Sequence, residues 1–303
     1  MTTTWDATAF DAFERRNWTG RSEAYRSGFA RMTARTVAPL LDAAGVGPGT
    51  RVLDVGTGPG VVAAVALARG AAVTAVDASP EMAAHAAKAC PEADVRVAVL
   101  PELPFPDCSF DAVVGNFVIN HLGDPAAGLV ELRRVLRPGG LLALTCWERV
   151  AMRATAVFGE AVAASGIPYP PDLPSSGPFL ADAEPEGRAE AFAALLADAG
   201  LAGASAERIA WLHRVDPDAW WHAVVAGTPL TGALIARQGP ATAAAVKAHY
   251  DRLVAPYAEP LAEPGPNGTG AGPDGAGDGT GSGPVALPAV AILATGHRPA
   301  VLG

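Results

Sequence analysis

The chain has 303 residues, half of them hydrophobic, enough to bury the core of one large α/β domain with additions or of two modest domains. Its 31 acidic residues outnumber 22 basic ones, leaving a formal net charge of -9, which argues against a surface built to neutralise phosphates. Neither nucleic acid nor an anionic membrane is expected as a partner. Cys90, Cys108 and Cys146 stand apart with no CxxC pair, so a disulfide framework and a structural zinc site are not expected. The N-terminus lacks a basic region followed by an apolar core, and no apolar run reaches the roughly 18 residues of a membrane span. The cytoplasm is the expected compartment.

In chain order, residues 6–45 read as helical, with Phe10, Phe13 and Trp18 ahead of a stretch carrying Phe29, Met32, Val37, Leu40 and Leu41. Gly45, Gly47, Pro48 and Gly49 break the pattern. Strands are then predicted at 51–55, 72–76, 95–99, 110–114 and 141–145, alternating with helices. Ser79-Pro80-Glu81 opens one helix with an N-cap serine, a proline and an acid, and Asp124-Pro125 opens another. Arg137-Pro-Gly-Gly140 is expected to close that second helix. Repeated βα units with short connections imply a doubly wound, mostly parallel sheet. Beyond Trp147 the pattern loosens into a proline-rich loop at 168–178, a helix at 189–199 and a strand at 204–212. A helical region at 217–256 follows, with a last strand at 286–294. Residues 263–284 are almost entirely Gly, Pro, Asp, Asn, Thr and Ser, too poor in apolar groups to order themselves, and read as a disordered loop.

The strongest local signal is Val52-Leu-Asp-Val-Gly-Thr-Gly-Pro-Gly60. A strand ends there, and glycines at alternate positions let backbone amides approach a ligand where the next helix begins. Asp77 closes the second strand, where a carboxylate can bind both hydroxyls of a ribose. Either feature alone is compatible with a tight βα turn and a surface acid. Together, on adjacent parallel strands, they favour an adenosine-bearing ligand. The glycines at 56, 58 and 60, with Val at 61, depart from the dinucleotide spacing G-x-G-x-x-G.

The glycine run resembles the first motif of class I S-adenosylmethionine (SAM)-dependent methyltransferases, D-x-G-x-G-x-G. Val76-Asp-Ala-Ser-Pro-Glu-Met82 is similar to the family's second motif. Leu103-Pro-Phe-Pro-Asp-Cys-Ser-Phe-Asp-Ala-Val-Val114, Asn116-Phe-Val-Ile-Asn-His121 and Leu136-Arg-Pro-Gly-Gly140 resemble the segments around its fourth and fifth strands. These lie in order over residues 50–147, and the nearest group is the type 11 branch, common among bacterial enzymes that decorate natural products. The resemblance implies a Rossmann-like sheet of about seven strands, the last antiparallel, with N-terminal helices and a helical lid insertion. Residues 1–45 would then form a helical cap, 46–150 the SAM-binding core, and 151–303 the rest of the sheet with a lid at 217–256. By the same resemblance Asp54, Gly56, Thr57, Gly58 and Gly60 surround the methionine portion of SAM. Asp77 binds the ribose, Ala78 and Met82 lie against the adenine, and Asn116 and Phe117 face the sulfonium. Many relatives place Asp-Ala after the third strand, where the acid accepts the adenine amino group. Here Val99 and Leu100 stand there, and the lost bond costs on the order of 1 kcal/mol unless Glu102 or a backbone carbonyl substitutes.

His121 is the candidate general base, with a structural role capping its turn or an indirect contact to SAM as the alternatives. His213, His222 and His249 show no metal-ligand spacing, and no HExxH motif is present, so no metal is expected. Trp18 and Tyr25 on one side, and Trp220 and Trp221 with Tyr169 on the other, are candidates for an acceptor pocket. Core packing is an equal reading for the Trp220-Trp221 pair, because adjacent helical positions face different ways. The function expected is methyl transfer to a small, largely apolar acceptor by a monomer or homodimer, with O, N or C as the reacting atom. A SAM-binding scaffold or a SAM-assisted rearrangement is the alternative. A nicotinamide-dependent oxidoreductase is disfavoured by the glycine spacing and the lack of a Tyr-x-x-x-Lys dyad.

Overall fold

The computed structural model describes residues 6–148, 152–170, 173–174, 178–181, 184, 187–259 and 283–300. Its centre is a seven-stranded sheet in the order β3-β2-β1-β4-β5-β7-β6. The strands are β1 (Arg51–Val55), β2 (Ala72–Asp77), β3 (Asp94–Val97), β4 (Phe110–Asn116), β5 (Leu136–Trp147), β6 (Ala202–Val215) and β7 (Val285–His297). β1 to β5 run parallel, and β7 lies antiparallel between β5 and β6.

The near-continuous apolar runs of the central strands suit a sheet covered on both faces. Because side chains alternate along a strand, Val52, Ala112 and Val114 pack with Leu40 and Val62 on one face. Leu53, Val55 and Val113 pack with Leu129 and Leu132 on the other. A separate core joins the two ends of the chain, with Phe13, Phe29 and Met32 against Phe158, Trp220 and Tyr250 over Leu287 of β7. Helix starts are fixed by capping. Ser79 accepts from the Met82 N–H ahead of Pro80–Ala89, and Asp124 from the Ala127 N–H ahead of Pro125–Val135. Such caps contribute about 1 kcal/mol each.

The N-terminal region is helical as the pattern predicts, but irregular after Ala7–Trp18. It passes from Ser22–Ala24 through a π-helical turn, Tyr25–Phe29, to Ala30–Thr33, a 3-10 turn and Val37–Ala43. β5 starts at Leu136, not 141, because the Pro-Gly-Gly turn is absorbed as a register shift against β4 between Phe110 and Ala112. β3 stops at Val97, and Val99 instead bridges to Glu102. The region 217–256 is three helices, Pro217–Gly227, Pro229–Ala236 and Pro240–Val254, since each proline disfavours helical geometry in the residue before it. The helix Arg153–Ala164 was not foreseen. Its buried positions Ala154, Val157, Phe158, Ala161 and Val162 have helical spacing, yet the alanines give little contrast with their neighbours. The loop expected at 263–284 lies outside the described residues over 263–282. Among the described residues no helix is long and apolar enough to cross a membrane.

Candidate active site

Strand order reverses between β1 and β4, and the crevice beyond their carboxyl ends is where open α/β sheets hold ligands. Gly56, Gly58 and Gly60 all adopt positive φ, at 66°, 55° and 90°. A Cβ at Gly56 would stand 2.7 Å from Cγ2 of Val118, so glycine is what lets the turns after β1 and β4 meet. At Gly60 it would meet the Ala86 backbone at 3.1 Å, so this glycine seats the Pro80–Ala89 helix.

A cavity of about 580 Å³ opens over this loop, within the usual range for ligand sites. Gly56, Gly58, Asp77, Ala78, Met82, Val99, Leu100, Asn116 and Phe117 line it, together with Trp18, Tyr25 and His121. Asp77 accepts the Gly58 N–H on Oδ2 and the Ser79 N–H on Oδ1, both at 2.8 Å. A carboxylate has about four acceptor directions, so lone pairs remain for a diol in the cavity. Burial raises the Asp77 carboxyl above its ordinary value, against the pull of the two amides.

Asp54, Thr57 and Gly60 do not line this cavity. Asp54 is 1% exposed, and its Oδ2 accepts from the Thr57 hydroxyl at 2.6 Å while Oδ1 has no partner. Burial lifts this carboxyl from 3.8 to about 7, opposed by the Thr57 hydroxyl. Glu102 is likewise outside the cavity, whose far end is walled by Ala98, Val99, Leu100 and Leu103. That end offers apolar side chains and backbone, with no carboxylate among Ala98, Val99, Leu100 and Leu103.

Asn116 is consumed structurally. Its Oδ1 accepts from Thr36 and Thr145 hydroxyls at 2.7 Å, and its Nδ2 donates to the Thr33 carbonyl at 3.0 Å, pinning the N-terminal helices to β4 and β5. Phe117 follows with φ 61°, a left-handed conformation that costs a side-chain-bearing residue on the order of 1–3 kcal/mol. The Phe117 N–H donates to Thr145 Oγ1 at 2.9 Å, and its ring stacks on Trp147 with centroids 3.7 Å apart.

Phe117 divides the first cavity from a second, of about 640 Å³, under the N- and C-terminal helices. Glu14, Trp18, Tyr25, Phe117 and His121 line both. Glu14 Oε2 lies 2.8 Å from His121 Nδ1 and accepts from Trp18 Nε1 at 3.1 Å. Phe10, Phe13, Phe29 and Trp147 complete an aromatic wall.

Trp220 and Trp221 line neither cavity, which corrects the acceptor-pocket reading in favour of the core. Trp220 is 1% exposed, donates to the Ala154 carbonyl at 2.7 Å and stacks on Phe29; Trp221 stacks on Phe158. Tyr169 also lines neither; it is exposed and donates to the carbonyl of Pro174, which borders the second cavity. Glu14 and Trp147 were missed. The signal for Glu14 was there, since Phe10, Glu14 and Trp18 fall on one helix face and place an acid in an aromatic stripe.

Residues 53–144 match the model of the family described as methyltransferase domain. Over this stretch the chain is similar to that family. An uncharacterized protein of Mycobacterium tuberculosis is 36% identical over 160 residues, 49% of this chain and 56% of that protein. A demethylmenaquinone methyltransferase of Chlorobaculum parvum is 43% identical over 91 residues, 30% of this chain and 38% of the enzyme. The matches thus span little more than half, or less, of these relatives' lengths. A candidate methyltransferase structure from Bacillus halodurans C-125 shares the fold, at 19% identity and a TM-score of 0.51, over 88% of this chain and 99% of that one. The family's cofactor is SAM. The residues present fit it, with a buried carboxylate for the ribose, glycines that a Cβ would obstruct, and an apolar end for the adenine.

Proposed function

We propose that this chain transfers the methyl group of SAM to a small, largely apolar or aromatic acceptor held in the second cavity. The observation that supports this reading is the shared wall: the cavity over the glycine loop and Asp77 meets an aromatic cavity at Phe117 and His121. SAM, when bound, supplies an electrophilic methyl on a sulfonium. The chain's own part is positioning and exclusion of water, since an in-line displacement gains mainly from proximity. Asp77 would hold the ribose, Gly56 and Gly58 would give backbone access, and Met82, Val99 and Leu100 would enclose the adenine. Trp18 and Tyr25 would roof the junction, with Asp54 and Thr57 keeping the loop's shape. The place of action proposed is the cytoplasm, in the decoration of a natural product, as a monomer or homodimer that engages neither membrane nor nucleic acid.

Methyl-labelled SAM incubated with phenols, indoles and amines tests the proposal, alongside SAM titration by calorimetry. Labelled product is expected. Tight SAM binding with no transfer to any member would point to a scaffold or a SAM-assisted rearrangement, and failure to bind SAM would overturn the reading entirely.

A further inference from the structure

Methyl transfer leaves the acceptor's reacting atom open, and the wall between the two cavities addresses it. We infer that the acceptor is a phenol and that Glu14 positions His121 to take its proton. This rests on the methyl-transfer reading above.

A carboxylate only accepts, so the 2.8 Å contact from Glu14 Oε2 places the ring proton on His121 Nδ1 and leaves the lone pair on Nε2. The same Oε2 takes the Trp18 Nε1–H, and the Trp18 ring stands edge-on to the imidazole at 5.5 Å. Carboxylate and indole together fix the ring's orientation. The Glu14 side chain is only 13% exposed, so its charge is poorly screened. The imidazole lines both cavities, where a proton acceptor for an attacking oxygen has to stand.

Of the carboxylates lining the second cavity besides Glu14, Glu148 pairs with Arg208 and Glu160 with Arg153, and those around the first hold structural hydrogen bonds. Asp11 accepts the Gly123 N–H, Asp77 the two loop amides, and Glu81 the Gly20 N–H and the Ser22 hydroxyl. Arg15 is a cation and cannot serve as a base. Burial raises the Tyr25 phenol above its ordinary value, which disfavours its anion.

The second cavity indicates the acceptor's shape. Phe10, Phe13, Phe29 and Trp147 offer flat apolar faces. Beside His121 on the Ile119–His121 turn, Asn120 lines the same cavity with a buried Oδ1 that has no hydrogen-bond partner among the described residues. A planar ring with a polar edge suits that combination. In the reaction the phenolic O–H breaks and its proton passes to Nε2, giving an imidazolium balanced by Glu14. The oxygen forms a bond to the methyl carbon as the C–S bond breaks, its electron pair staying on sulfur to give S-adenosylhomocysteine.

The test uses phenols graded in acidity, from alkylphenols to nitrophenols, with labelled SAM at neutral pH. It compares the wild type with His121→Ala and Glu14→Gln, with SAM affinity and melting temperature measured in parallel. With weakly acidic phenols, His121→Ala is expected to lose about 10²–10⁴-fold in kcat and Glu14→Gln on the order of tenfold, SAM affinity holding within about twofold. Both losses should shrink with nitrophenols, which ionise more readily and lean less on a base. If Glu14→Gln does not fold, the acidity dependence of His121→Asn decides. Losses equal across the series, or confined to KM, would overturn the inference. Labelling of indoles or amines but no phenol would overturn it while leaving methyl transfer standing. SAM binding with no labelled product would remove both.

Discussion

Two carboxylates beneath one loop divide the work of the cofactor cavity. Asp77 faces it and holds Gly58 and Ser79 in place; Asp54 is sealed behind Thr57. Asp77→Ala is expected to weaken SAM binding by about 1.5–3 kcal/mol, the scale of charge-assisted hydrogen bonds. Calorimetry on a folded variant checks this, and unchanged affinity would remove the ribose assignment. Asp54 carries a pH signature. Its carboxyl stands at about 7 when folded against 3.8 ordinarily, so folding favours the protonated form. That contribution is full below the ordinary value and is lost as pH rises through 7. Asp54→Asn keeps an acceptor for Thr57 without the charge. In the absence of SAM it should therefore melt above the wild type at alkaline pH, with the gap closing as pH falls below 3.8. A gap independent of pH would mean that Asp54 is not strained by its burial. Asp77, raised in the same direction, leaves both proteins a residual slope of the same sign. The places of both acids in the fold were legible because one loop and two adjacent strands set them, but the sequence put Asp54 against the ligand and it is buried outside the cavity. Glu14 and His121 lie 107 residues apart, and only the folded chain joins them.

At the scale of elements, the parallel strands were legible because burial on both faces leaves short apolar runs between turn signals. The C-terminal helices were legible as helical but not by role. Hydrophobicity alone does not say whether a tryptophan faces a ligand or a core, and here Trp220 faces the core. Trp220→Ala should cost about 3–5 kcal/mol of stability, and it removes the indole N–H that donates to the Ala154 carbonyl. Thermal melting should show that loss, with the Michaelis constants for SAM and acceptor rising together only as the fold fails. Trp147 makes the contrast, since it lines the second cavity and supports Phe117. Trp147→Leu is expected to raise the Michaelis constant for the acceptor several-fold while SAM affinity changes little, the truncated ring having bordered only one cavity. Selective acceptor damage from Trp220→Ala in a stable variant would reverse this assignment.

Across the whole molecule, residues more than 200 positions apart close the site together. Arg21 donates to the carbonyls of Val225 at 3.2 Å and Ala226 at 2.8 Å, beyond the reach of any local pattern. Gly227 packs against the Tyr25 backbone, and Gly28 lies so close to Ala223 that a Cβ would overlap it. These contacts join the N-terminal helices to the Pro217–Gly227 helix, while Asn116 ties them to the sheet. The helices that carry Glu14, Trp18 and Tyr25 thus roof both cavities at once. Gly28→Val should act as a wedge at the seam between the two helical layers. Its branched side chain has to displace Ala223, a backbone-borne Cβ that cannot swing aside as a flexible side chain would, so the layers must part. Hydrogen exchange should then quicken through residues 6–33 and 217–227 while strands β1 and β4 keep their protection, because Val37, Leu40 and Leu41, which pack on those strands, lie beyond the seam. Binding of SAM and of acceptor should weaken together, in contrast to the selective effect of Trp147→Leu. Unchanged exchange in the N-terminal helices would show that the Asn116 contacts alone hold the roof. Loss of protection throughout the sheet would show that the roof and the core unfold as one unit.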